Sequence, residues 1–76
     1  MKVYVVKFSN GLYIINPYFA FGVDSVDGVY TKHLNKARLT DDAETARRMA
    51  EDRLDRADKV ILGCTYEIVE VKIVEA

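Results

Sequence analysis

One cysteine in 76 residues, Cys64, excludes an intramolecular disulfide, and a lone chain cannot build a four-thiolate zinc site from it. His33 is the only histidine, Pro17 the only proline, and tryptophan is absent. The four glycines, at positions 11, 22, 28 and 63, form no phosphate-cradling pattern. Neither sign of charge dominates: 11 Lys and Arg stand against 12 Asp and Glu, for a formal net charge of -1. That balance excludes a duplex-DNA binder held by bulk electrostatics. Apolar runs reach only about five residues against the roughly 20 that cross a bilayer, so no membrane association is expected. The opening Met1-Lys2-Val3-Tyr4-Val5-Val6-Lys7 has a short apolar run and no small-residue cleavage site. Together with the unpaired cysteine, this gives the expectation of a reducing, cytoplasmic setting.

What is present reads as one globular domain over residues 1–76, with 50% hydrophobic and 30% charged residues. A chain this short buries roughly 60% of its unfolded surface. The hydrophobic gain then about cancels the cost of ordering the chain. Self-association or partner binding is a natural supplement to such a core.

Residues 2–8 are rich in β-branched and aromatic side chains, and Ser9-Asn10-Gly11 follows with a strong hairpin signal. Residues 12–16 supply the return strand. With a period of two, Tyr4, Val6 and Phe8 share one face while Val3, Val5 and Lys7 share the other. Neither face is cleanly polar, which suits a strand in the middle of a small sheet. Pro17 ends the return strand. The residues 24–28 read as a turn cluster, Val29-Tyr30-Thr31 as a possible short strand, and residues 32–39 as a basic connector with room for one helical turn.

From Ala43 the period changes: Ala43, Ala46, Ala50, Leu54 and Ala57 recur at three- and four-residue steps among charged neighbours. This predicts one amphipathic helix over about residues 41–56. Thr40, Asp41 and Asp42 offer its N-cap, and Asp41 with Glu44 has capping-box spacing. Residues 64–74 read as a final strand. Tyr66 and Ile68 fall on one parity but Val69, Val71 and Ile73 on the other, which predicts either a bulge near Ile68-Val69 or burial on both faces. The expected fold class is α+β: a small, mainly antiparallel sheet of three to four strands packed on one helix, in the order ββ(β)αβ.

Several of these segments in sequence carry a resemblance: Tyr4-Val5-Val6-Lys7-Phe8, the Ser9-Asn10-Gly11 turn, Leu12-Tyr13-Ile14-Ile15, the stretch from Leu34 to Thr40, Ala43-Glu44-Thr45-Ala46-Arg47, and the Tyr66-Glu67-Ile68-Val69 strand. Their layout resembles small uncharacterised proteins carried by phages and prophages of Gram-positive bacteria. The resemblance brings no catalytic motif. It implies a small cytosolic accessory protein of bacterial or viral origin. The aromatic segment over residues 18–29 is longer than the matching connection in the short members.

No residue set calls for catalysis. A nucleophile triad would need Cys64, His33 and an acid such as Asp24 or Asp27 to meet, whereas a free cysteine ordinarily packs as a small hydrophobe. Asp24-x-x-Asp27-Gly28 lacks the further oxygen ligands of a calcium loop and fits a turn. The reading is therefore of a protein without enzymatic activity, cofactor or metal. The informative residues are aromatic. Tyr13, Tyr18, Phe19, Phe21 and Tyr30 cluster around one connection and form a candidate interaction surface, unless Phe19 and Phe21 cap the second face of the sheet. The partner expected is a second copy, giving a homodimer, or a host or phage protein. Lys32, His33, Lys36 and Arg38 form a candidate basic patch, which keeps a weak single-stranded nucleic-acid binder as the alternative. Against that alternative, Asp41, Asp42 and Glu44 follow at once and no Gly-Phe-Gly-Phe strand is present.

Overall fold

The computed structural model describes residues 2–72. Five strands, β1 (Lys2–Phe8), β2 (Tyr13–Ile14), β3 (Ser25–Val26), β4 (Tyr30–Thr31) and β5 (Tyr66–Lys72), form one antiparallel sheet in the order β3-β4-β2-β1-β5. One helix, α1 (Ala43–Asp55), packs on β1 and β5. The α+β class is as the sequence indicates, with one strand more than the three to four expected. Among the described residues no helix is long and apolar enough to cross a membrane.

The first hairpin turns through Ser9-Asn10-Gly11. The Gly11 N–H donates to the Phe8 carbonyl at 2.9 Å, and Gly11 takes a φ of 89° that its missing side chain permits. The return strand is shorter than residues 12–16. After Ile14 the chain leaves β1, and the connector enters the gap: Arg38 N–H donates to the Ile14 carbonyl, Ala37 bridges to Ile15, and Thr40 exchanges backbone hydrogen bonds with Tyr4 at 2.7 and 3.0 Å. Backbone groups that a divergent strand would leave bare are thus paired.

The second hairpin lies where the sequence shows only a turn cluster. Asp27 and Gly28 have φ of 56° and 70°, and the Val29 N–H donates to the Val26 carbonyl at 3.1 Å. Two left-handed residues in succession make the primed turn that suits the right-handed twist of a hairpin, so Ser25–Val26 pairs with β4 as a fifth strand.

The alanine stripe of α1 faces the sheet. Ala46 and Ala50 are fully buried in a cluster with Val6, Phe8, Leu12, Ile14, Tyr30 and Ile61, while Met49 and Leu54 pack at its border. Small side chains let the helix axis approach the strands closely. Replacing Ala46 with phenylalanine is expected to cost about 1–3 kcal/mol by overpacking. Thermal denaturation reads the effect, and an unchanged melt would place that stripe away from the core.

The N-cap is Asp42, not Asp41. Its Oδ1 accepts from the Glu44 N–H at 3.1 Å and its Oδ2 from the Thr45 hydroxyl at 2.8 Å, so the expected Asp41–Glu44 capping box does not form. These hydrogen bonds, from Thr45 first, hold the Asp42 carboxyl below the usual carboxylate range. The helix ends at Ala57, which takes the left-handed φ of 53° ordinarily left to glycine. A Cβ in that conformation is strained, so Ala57→Gly is expected to raise stability by about 0.5–1 kcal/mol, visible as a higher Tm. A lower Tm would contradict the assignment of strain.

β5 settles its mixed parity without a bulge. Its register with β1 runs unbroken from Lys2 opposite Lys72 to Phe8 opposite Tyr66. Tyr66 and Ile68 pack on the helix side, while Val69 and Val71 lie half-buried on the other. The last part of the expected strand, residues 73–74, lies outside the described residues. The second face of the sheet is more than partly covered: Val3, Val5, Ile15, Thr31 and Ala37 are all buried there.

Candidate interaction surface

The segment after β2 is rigidly shaped. Asn16 Oδ1 accepts from the Tyr18 N–H at 3.0 Å, and Pro17 opens a single 3-10 turn over Pro17–Phe19. A proline at this position loses no hydrogen bond and presets φ. Gly22 N–H then donates to the Phe19 carbonyl at 3.0 Å and turns the chain back. Phe19 is half-buried under the loop, edge-on to Tyr18 at 5.1 Å, with the Lys36 ammonium 5.7 Å from its ring centre. Tyr18 is 86% exposed, and Phe21 and Val23 are fully exposed.

Asp24 anchors the base of this loop. Its Oδ2 accepts from the Lys36 ammonium, and its Oδ1 lies 3.3 Å from His33 Nε2. The Lys36 hydrogen bond is the main reason that the Asp24 carboxyl stays below the usual carboxylate range. The carboxylate is therefore charged at neutral pH and holds the aromatic loop against the connector.

The same contacts divide the candidate basic patch. Lys36 and His33 are turned onto Asp24, and Arg38 lines a shallow hollow with Met49, Asp52 and Arg53 beside α1. Lys32 remains exposed. A phosphate would have to displace Asp24 to meet Lys36 and His33 together, which weakens the case for a nucleic-acid interface.

The aromatic set divides as well. Tyr30 is not a surface residue: it is fully buried, edge-on to Phe8 at 5.8 Å, and its hydroxyl donates to Asp58 Oδ2 at 2.8 Å. The physical reason is its parity on β4, which points it at the helix-side core opposite Ile14. Tyr13 lies half-buried on the opposite face with the Lys7 ammonium 5.8 Å from its ring centre. Tyr18 and Phe21 are left as the outward aromatic pair, with Phe19 as their support.

Sequence reasoning missed a second apolar surface. Leu34 and Leu39 sit in a connector that reads as basic, yet both are exposed and line a shallow groove with Ala37 and Val71. Two leucines among charged residues were the available signal. Cys64 packs beside the helix-side core, while the His33 ring meets Asp24, so each is engaged separately. Among the described residues no three His, Cys, Asp or Glu side chains are grouped to hold a metal ion. The chain matches no protein-family model, no curated protein and no solved structure.

Proposed function

We propose that this chain is a non-catalytic protein-interaction module, whose contact surface is the loop carrying Tyr18, Phe21 and Val23. The observation that carries the reading is the near-complete exposure of those three apolar side chains on a segment pinned by Asp24 to Lys36 and His33. Large apolar groups in water are unfavourable unless another surface covers them, and aromatic anchors dominate protein interfaces. A loop already held in shape loses little entropy on binding. The resemblance of its sequence layout to phage-encoded accessory proteins favours an accessory role of that kind.

The test separates protein from nucleic acid as the partner. The tagged chain is used to capture partners from lysate of its source organism with and without nuclease, and fluorescence anisotropy with a single-stranded oligonucleotide is run at low salt. A stoichiometric protein that survives nuclease, together with a flat anisotropy titration, is the expected result. Prey that vanish with nuclease and a rising titration, strongest at low salt, would overturn the reading in favour of nucleic-acid binding.

A further inference from the structure

β5 is one outer edge of the sheet, and at seven residues it is much longer than the two-residue β3 at the other. The backbone of Tyr4 bonds to Thr40 and the Phe8 N–H to the Leu12 carbonyl, so the even-numbered residues of β1 turn away from β5. Val3, Val5 and Lys7 therefore exchange ladder bonds with Val71, Val69 and Glu67. By the same alternation, Tyr66, Ile68, Glu70 and Lys72 present their N–H and C=O groups outward. Among the described residues, no other backbone group meets them.

Edges of this length are ordinarily blunted by proline, by bulges or by covering loops. β5 has no proline and no bulge. Its protection lies in its charges, and these select the neighbour it admits. An antiparallel second β5 centred on Val69 sets Ile68 opposite Glu70, Tyr66 opposite Lys72 and Glu67 opposite Val71, with no like charges face to face. Centring one residue later sets Glu70 against Glu70. Centring one residue earlier carries Lys72 beyond Tyr66, where the strand begins.

The Val69 register also joins apolar surface. Val69 meets its counterpart on the face that carries Val71, which lines the groove with Leu34, Ala37 and Leu39. The two grooves become the ends of one apolar stripe across the axis. We propose that the chain forms a two-fold homodimer by antiparallel pairing of β5 with β5 about Val69, with about eight new backbone hydrogen bonds and one continuous sheet. This surface is separate from the aromatic loop, and the inference does not depend on that loop's function.

Sedimentation equilibrium tests it, with circular dichroism confirming that each variant is folded. Wild type is expected at twice the chain mass. Glu70→Pro removes an outward-facing donor together with the carboxylate that meets Lys2 and is expected at the monomer mass, whereas Glu70→Ala, which loses the same carboxylate, stays dimeric. Val69→Lys and Val69→Asp place like charges at the axis and are each expected to be monomeric. Mixed in equal amounts, the two are expected to restore the doubled mass, which only a residue facing itself across the axis explains. A monomeric wild type, or a Val69→Lys variant that remains dimeric, would overturn the proposal. Phe21→Ser is expected to keep the doubled mass, so failure of the loop's function and failure of the dimer are distinguishable.

Discussion

Truncating Tyr30 to alanine is expected to leave the chain at the edge of unfolding at room temperature. The ring is fully buried and edge-on to Phe8, in the cluster that joins α1 to the sheet. Removing a buried aromatic costs about 3–5 kcal/mol. A domain of this length has a total stability of roughly 4–11 kcal/mol, so the loss takes a large share of it. The milder Tyr30→Phe keeps the ring and deletes only the hydroxyl donated to Asp58. Asp58 still accepts the Val60 N–H at 3.0 Å, so the expected cost is about 1 kcal/mol, or roughly 4–8 °C in Tm. Urea titration of both variants checks the order of effects, and equal costs would mean that the ring packing contributes nothing beyond the hydrogen bond.

The pH dependence of the same residue has a definite sign. Burial, and then the hydrogen bond to the Asp58 carboxylate, favour the neutral phenol and raise its titration above the ordinary tyrosine range. The unfolded chain releases this proton first, near pH 10. Stability from Tyr30 is therefore complete below about pH 10 and declines as pH rises above it. Tyr66 shifts in the same direction, through burial and then Glu51, so Tyr30→Phe is expected to flatten the alkaline decline without removing it. At the acid end, Asp58 is held below the usual carboxylate range by the Val60 N–H and then by Tyr30. Its contribution is present above about pH 4 and is lost as pH falls through its lowered value.

Val5→Asp is expected to abolish folding at neutral pH. Val5 is fully buried on the face of the sheet opposite the helix, where Val3, Ile15, Thr31 and Ala37 are buried as well. Lys7, the basic side chain two residues along that face, lies over the Tyr13 ring, and a buried charge left without a partner costs about 3–5 kcal/mol in addition to the lost packing. Circular dichroism at pH 7 reads the result. A folded Val5→Asp chain would mean that the second face is open to water, whereas Val69→Asp, at a half-buried position beside it, is expected to fold.

The long elements were legible because their signals are local and repeated. The helix announces itself by alanine at three- and four-residue steps, β1 by a continuous β-branched run, and the first hairpin by Asn10-Gly11. Asp27-Gly28 is a turn signal of the same kind, but the strands it joins have two residues each and show no alternation to recognise. Tyr30 looks like one more member of an aromatic cluster until pairing with Ile14 fixes which way it points. The insertion of residues 36–40 between β2 and β1 is a long-range event that no local pattern encodes. For the candidate site, the sequence located the aromatic loop but not the clasp beneath it. Asp24 reads as a turn residue, and only the fold brings it to Lys36 and His33.

On the proposed reading Tyr18 and Phe21 serve contact and not folding. The doubly substituted chain Tyr18→Ser/Phe21→Ser, melted beside wild type and carried through the same partner capture, separates the two roles. An unchanged melt is expected, since exposed side chains contribute little to stability, together with loss of the captured protein. A depressed melt would assign the pair to the core, and a partner retained at full stoichiometry would contradict the loop as the contact surface.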